Sequence, residues 1–279
     1  MENEPLVYPE CPIEDALSLT SLYTFFTRRY TKDYVFKGET HDFSEVVCVT
    51  DGKVGVTADK DVYVLSAGQM ILHPPEEFHS IWSDCGTTPE AIIFSFRAER
   101  FPDLSRRIFR LTPDDLTTVR GLMKESEKYF DRVGMCLTKV KNGYKQQVSA
   151  FVKKIELFLL SVLTSEQEIP SKYTGRSAEN YVRILSVLEG LLEESPSVSE
   201  LALACNMSVP AMEKTVYRFA GCGVLSYFNG LKFQRAKEYL SSGLSVKETS
   251  LRLGFSNQNY FSSRFKKYTG VSPTEWKKN

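Results

Sequence analysis

The chain has 279 residues, 42% of them hydrophobic and 25% charged, enough to bury a real core; a disordered, collagen-like or small disulfide-scaffold protein is excluded, and two domains are expected. Its 35 Lys+Arg balance 35 Asp+Glu, but residues 201–279 carry 12 basic against 4 acidic side chains, so a net +8 there offsets −8 over the first 200 residues. That asymmetry suggests a polyanion-binding module joined to an acidic one, or, on charge alone, a solvated basic face.

No window reaches the roughly 20 apolar residues of a membrane helix, and Met1–Leu6 has neither the basic start nor the apolar stretch of a secretion signal. The expectation is a soluble, cytoplasmic chain with no membrane contact. Six cysteines (Cys11, Cys48, Cys85, Cys136, Cys205, Cys222) lack any C-x-x-C pair, which argues against a zinc knuckle and for reduced thiols acting as small buried hydrophobes.

From about Leu22 to Phe96, short β-rich runs alternate with turn residues. They are Glu45–Thr50, Asp51-Gly52, Val54–Thr57, Val62–Leu65, Ala67-Gly68, Met70–Leu72, Pro74-Pro75 and Ala91–Phe96, the spacing of an antiparallel sandwich or barrel. Thr112 before Pro113, Asp114 and Asp115 starts a helix, since Pro suits the first turn and carboxylates the positive end of the dipole. A second helix, Tyr144 to Leu163, carries Val148, Phe151, Val152, Ile155, Phe158, Leu159 and Val162 on one stripe with Leu157, Leu160 and Leu163 beside it. So wide an apolar face is either buried within the monomer or shared with a partner chain. The polar, aperiodic stretch from Ser165 to Ala178, with Pro170 and Gly175, reads as a linker.

Beyond it the sequence repeats. Ser197-Val-Ser-Glu200 and, 48 residues later, Ser245-Val-Lys-Glu248 are both capping boxes. Each begins a short helix, followed by a turn at Asn206-Met207 or Gly254-Phe255, a new N-cap at Ser208 or Ser256, and a second helix. Met212, Val216 and Phe219 point inward in one copy, and Phe261, Phe265 and Tyr268 in the other; Gly221 and Gly270 close them. This is a duplicated helix-turn-helix, joined by a helix over Leu225–Leu240 and preceded by one over Tyr181–Glu194. Two groove-reading helices on one face of a duplex sit about 34 Å apart, which a rigid connector can fix.

Residues Ala178 to Lys278 resemble the AraC/XylS transcription regulators, most specifically in Gln234–Leu240, Leu253–Phe261 and Phe265–Pro273 through Trp276. The resemblance implies recognition helices at Ser208–Phe219 and Ser256–Tyr268. Helical geometry turns Pro210, Glu213, Lys214 and Tyr217 outward in the first copy, and Gln258, Asn259, Ser262, Ser263 and Lys266 in the second. Gln and Asn can pair bidentately with adenine, Glu can accept from cytosine, and Lys266 and Lys267 suit phosphates. With the caps Ser208, Ser256 and Asn257 these form the expected DNA-binding set. The chain departs from the family pattern at Asn206, where Gly is usual, at Pro210, and at Ser263, where Arg is frequent, so most base reading is expected from the second copy. Lys232, Arg235 and Arg264 are surface or intramolecularly paired residues in the alternative reading, which is favoured for Arg235.

Glu39-x-His41-x3-Glu45-x6-Gly52 and Gly68-x5-Pro74-x-Glu76-x2-His79 resemble the two cupin motifs, with Glu39 where a histidine usually stands and Glu76 in place of a glycine. In metal-dependent cupins such positions supply ligands, so His41, Glu45 and His79, with Glu39, could hold iron, manganese or zinc and permit an enzyme. The regulator family commonly carries such a domain without metal. The expectation is therefore no catalysis, no metal and no cofactor, with His41 and Glu45 either a hydrogen-bonded pair at a strand end or part of an effector site. Its candidate residues are Tyr23, Phe36, His41, Glu45, His79 and Trp82, with Phe25, Phe94 and Phe96 as further possible walls.

The reading is an α+β two-domain protein. A cupin-like antiparallel β-barrel with helices (1–165) senses an effector and dimerises; a linker (166–177) leads to an all-α domain (178–279) with two helix-turn-helix motifs. The expected partners are promoter DNA, a small-molecule effector, RNA polymerase and a second copy of the chain through the Tyr144–Leu163 helix.

Overall fold

The computed structural model describes residues 16–84, 86–104, 107–165 and 175–277. Its strands are β1 (Ser18–Arg29), β2 (Ser44–Asp51), β3 (Lys53–Ala58), β4 (Asp61–Ser66), β5 (Gln69–His73), β6 (His79–Ser83), β7 (Glu90–Arg100) and β8 (Ile108–Arg110), followed by helix α1 (Pro113–Tyr129), the hairpin β9 (Phe130–Val133) and β10 (Cys136–Val140), and helix α2 (Lys145–Leu163). They form a seven-stranded sheet, β8-β5-β2-β7-β1-β10-β9, facing a three-stranded one, β4-β3-β6, with antiparallel pairing throughout.

The expected strand runs lie inside β2, β3, β4, β5 and β7. β2 shows why Val46-Val-Cys-Val49 is continuously apolar: successive side chains point to opposite faces, and both faces are buried. Val46 and Cys48 join a core with Phe25, Phe94, Phe96 and the helix residues Phe151 and Phe158; Val47 and Val49 join a second core with Val54, Val56, Leu65 and Ile93. That parity corrects one expectation. Phe25, Phe94 and Phe96 face the helices, so they line the core behind the sheet and not a cavity between the sheets.

α1 opens on a Thr112–Asp115 capping box with Pro113 in its first turn. On α2, Phe151, Ile155, Phe158, Leu159, Val162 and Leu163 are buried within the chain, while Leu157 is 67% exposed. Most of the broad stripe is thus spent on the sheet and on α1.

The C-terminal elements are α3 (Arg176–Gly190), α4 (Val198–Ala204), α5 (Val209–Ala220), α6 (Val224–Ser241), α7 (Val246–Arg252), α8 (Gln258–Thr269) and α9 (Pro273–Trp276). Both capping boxes form, at Ser197/Glu200 and Ser245/Glu248, and a third, Ser272/Glu275, starts α9. α3 begins and ends earlier than the leucine pattern suggests. Of the expected linker, residues 166–174 lie outside the described residues, as do Cys11 and Cys85. Cys48 and Cys205 are buried thiols, but Cys136 is exposed, contrary to expectation, because it sits on the β9–β10 hairpin at the sheet edge.

Each helix-turn-helix has its own core, one built on Tyr181, Met212, Val216 and Phe219, the other on Phe233, Leu253, Phe261 and Phe265. α6 spans both, contributing Phe228 to the first and Phe233, Ala236 and Leu240 to the second. Between them Lys232, 4% exposed, donates to the carbonyls of Glu194 and Leu253, the latter at 2.8 Å, and burial lowers its pKa to about 8. Among the described residues, no helix is long and apolar enough to cross a membrane.

Candidate DNA interface and effector cavity

α5 and α8 are the second helices of the two motifs, and each is set by a side-chain cap. Ser208 Oγ accepts from Ala211 N–H; for α8 the cap is Asn257 rather than Ser256, because Asn257 Oδ1 accepts from the N–H groups of Asn259 (2.8 Å) and Tyr260 (3.1 Å). Ser208, Pro210, Lys214 and Tyr217 are exposed on α5; Ser256, Asn257, Gln258, Asn259, Ser263, Lys266 and Lys267 are exposed on or just before α8, with Ser262 half-buried. Glu213 is different. Its Oε2 accepts from Val224 N–H at 3.1 Å, so its carboxylate caps the N-terminus of α6, which lacks a side-chain cap of its own, and is drawn away from the outer face. Arg235 pairs with Glu238 at 3.1 Å, as the intramolecular reading has it. Tyr268 packs on Phe233 at 5.4 Å yet is 39% exposed, so it is only partly inward. Tyr260, 56% exposed on α8, lies outside the expected DNA-binding set.

The departure at Asn206 leaves the turn intact. Asn206 adopts φ +51° and Gly254, its counterpart, φ +72°; Asn tolerates this left-handed conformation better than most residues. Gly254 has less choice, since a Cβ there would come within 2.9 Å of the Glu194 carbonyl.

In the N-terminal domain a cavity of about 240 Å³ lies between the sheets. Phe26, Tyr30, Tyr34, Phe36, Val47, Ile81 and Ile93 make its apolar walls, and Glu39, His41, Glu45, His73 and His79 its polar end. Four of the six expected effector residues, Phe36, His41, Glu45 and His79, therefore meet there. Tyr23 and Trp82 do not. Tyr23 stacks on Phe43 at 4.0 Å, outside the lining; Trp82 is 5% exposed, runs under Gly55, whose missing Cβ makes room for the indole, and meets Phe219 of α5 at 5.4 Å. Sequence alternation could not assign these faces, because the segment carrying Phe36–His41 is held by isolated bridges, Val35 to Trp82 and Glu39 to His79, and not by a regular ladder.

The polar end gathers all three histidines. His41 Nδ1 lies 2.8 Å from the Phe43 carbonyl, His79 Nδ1 3.1 Å from the Glu77 carbonyl, and His73 Nδ1 2.7 Å from Glu77 Oε2. Glu45 Oε1 is 3.5 Å from His79 Nε2, and Glu45 Oε2 is 4.0 Å from His41 Nε2. Burial and the neighbouring His79 lower the pKa of His41. Burial opposes the charged form of His79 as well, but the Glu45 and Glu39 carboxylates outweigh it and its pKa is raised. Glu77 is pushed up to about 7 by burial, although Arg107 pairs with it.

The wall of this cavity is also the seat of the DNA-binding domain. Ser80, a lining residue, donates through Oγ to the Phe219 carbonyl; Gly38 N–H, beside the lining residue Glu39, donates to the Ala220 carbonyl at 3.1 Å. Phe78 meets Tyr227 edge-on at 4.8 Å, and Lys237 pairs with Glu76 at 2.8 Å. Trp82 and Val62 belong to the same apolar cluster as Tyr181 and Phe219. Sequence reasoning had no signal for these contacts, which join residues far apart in the chain.

Residues 22–135 match the model of an AraC-like ligand binding domain and residues 201–279 that of a helix-turn-helix domain, together more than half of the chain. The chain is similar to the HTH-type transcriptional activator RhaR of Enterobacter sp. (strain 638), 22% identical over 262 residues that cover 89% of each. Among solved structures it is similar to ToxT from Vibrio cholerae O395 (10% identity, 91% of this chain and 96% of that one, TM-score 0.37) and to a regulator with an AraC-type DNA-binding domain from Chromobacterium violaceum (24%, 36% and 91%, TM-score 0.35). The chain belongs to the AraC/XylS family of effector-regulated, DNA-binding transcription regulators.

Proposed function

We propose that α5 and α8 are the groove-reading helices, that α8 supplies most of the base contacts, and that a small molecule in the cavity between the sheets controls how the helices are presented. The shared wall carries this reading: Ser80 lines the cavity and holds the last turn of α5 through the Phe219 carbonyl. A ligand that binds one arrangement of β6 and the 36–40 segment better than another shifts the pose of the first motif by that difference in affinity.

On α8 the exposed Gln258 and Asn259 suit adenine edges, with Lys266 and Lys267 toward phosphates; on α5 Lys214 suits guanine, and Tyr217 adds apolar contact. With Glu213 engaged at α6, the first motif contributes mainly position. The chain acts by binding and not by turnover, as an activator that engages RNA polymerase, and its exposed Leu157 and neighbouring α2 surface serve a homodimer. Genome-wide footprinting tests the reading. Expected are discrete promoter sites whose binding weakens steeply as salt rises, because neutralised phosphates release counterions; duplex binding that is absent, or equal on all sequences, would overturn it.

A further inference from the structure

Each helix-turn-helix motif closes on its own apolar core, and α6 runs through both. A helix of 18 residues is about 27 Å long, so it sets how far apart the motifs stand. A single connector leaves the rotation of one motif about its axis to contacts made off that axis. Such contacts join the loop that leads into α4, in the first motif, to the turn between α7 and α8, in the second. Lys232 Nζ donates to the Glu194 carbonyl on the first side and to the Leu253 carbonyl on the second, the latter at 2.8 Å. Leu253 ends α7, where backbone carbonyls have no partner within the helix. The rings of Phe228 and Phe255, one from each motif, cover the ammonium at 4.9 and 5.2 Å. Beside it Ser195 donates through Oγ to the Gly254 carbonyl, and Glu193 Oε1 accepts from Arg252 Nε at 3.1 Å. A buried ammonium is tolerated only while its donors are met, so a rotation that draws either carbonyl away strips the charge of a partner. An apolar contact in its place would be non-directional and would let the motifs re-pack.

We propose that Lys232 is a positioning residue for DNA reading: by tying the 193–195 loop to the 252–254 turn it sets the rotation of α8 relative to α5, and with it the half-site spacing that the chain accepts. The proposal rests on the assignment of α5 and α8 as the groove-reading helices. With 10–10.5 base pairs per turn, each inserted base pair turns the second half-site by about 35° and moves it by about 3.4 Å. A locked pair of motifs then loses contacts to one half-site or distorts the duplex, whereas an unlocked pair follows by turning the second motif about α6. Buried between the motifs, Lys232 acts on spacing and not on which bases are read.

The test begins with selection of a duplex from a random pool by the full chain, followed by Kd measurements on derivatives with one or two base pairs inserted or deleted between the half-sites, and on each half-site alone. For wild type, one such change should weaken binding by at least about tenfold, the size of one mismatched position. Lys232→Met, which keeps the stem without the charge, should bind the single half-sites as wild type does yet discriminate between spacings by less than about threefold. Glu193→Gln combined with Ser195→Ala, two exposed positions on the same loop, should shift discrimination the same way. Folded Lys232→Met that keeps the wild-type discrimination overturns the proposal; should that variant fail to fold, the exposed pair decides, and undiminished discrimination there overturns it. A wild type indifferent to spacing but selective for sequence also overturns it and leaves the assignment of the reading helices standing. Absence of sequence selectivity removes both.

Discussion

The indole of Trp82 meets the ring of Phe219 edge-on at 5.4 Å, and this pair joins the β3–β6 sheet of the N-terminal domain to the last turn of α5. Both side chains are buried, Phe219 completely, so the two domains share one apolar cluster at this point. A close-packed apolar contact of this kind can pass a displacement from one domain to the other, since packed side chains shift between discrete arrangements.

Trp82→Ala should cost about 3–5 kcal/mol, the range for truncating a large buried aromatic. Because the loss falls on a shared cluster, thermal unfolding should split into two calorimetric transitions, one per domain. A single transition at the wild-type Tm would contradict the coupling.

Gly221 and Gly270 close α5 and α8 with φ of +66° and +85°. An Ala at 270 meets open space, so Gly270→Ala should cost about 1 kcal/mol, the left-handed penalty alone. At 221 the added Cβ would come within 2.8 Å of Lys37 Cα and closer still to the Phe36 carbonyl. Gly221→Ala should therefore cost clearly more and loosen the 36–40 segment. Urea midpoints of the two variants check this, and equal losses would count against docking of that segment on α5.

Asn259→Ala should weaken binding to the cognate site by about 1–3 kcal/mol while leaving binding to unrelated duplex unchanged. Glu213→Ala should behave in the opposite manner: it removes the cap on Val224 N–H, lowering stability by about 1 kcal/mol, with little change in sequence preference. Gel-shift competition with cognate and scrambled duplexes, beside a urea titration, separates the two.

Lys232 has its pKa lowered from 10.5 to about 8 by burial. Below pH 8 the ammonium is charged in both folded and unfolded chains. Between pH 8 and 10.5 the unfolded chain holds the proton that the folded one has released, so this residue makes stability rise with pH across that window. Measured against Lys232→Met, the wild-type urea midpoint should gain between pH 7.5 and 10; a constant difference would mean that the ammonium is not penalised by burial.

Much of this protein was legible in the chain because local rules sufficed. The capping boxes at Ser197 and Ser245, the glycine stops at 221 and 270, and the 48-residue repeat each depend on residues a few positions apart, and they define the helix-turn-helix pair before any packing is known. The strands were readable for a similar reason, as apolar runs between turn residues. His41, Glu45 and His79 were grouped by the resemblance of their two segments to the cupin motifs, and the fold brings them together.

Tertiary structure decided the rest. Which face of β1 and β7 lines the cavity is a matter of register, since a shift of one residue exchanges Phe25 and Phe94 for Phe26 and Ile93. Trp82 left the effector set, and Glu213 left the outer face of α5, because each found a partner that sequence distance concealed: Phe219, 137 positions from Trp82, and the unfilled N-terminus of α6. Periodicity specifies that a side chain is buried or exposed. It does not specify against what, and in this protein that choice makes one wall serve both the cavity and α5.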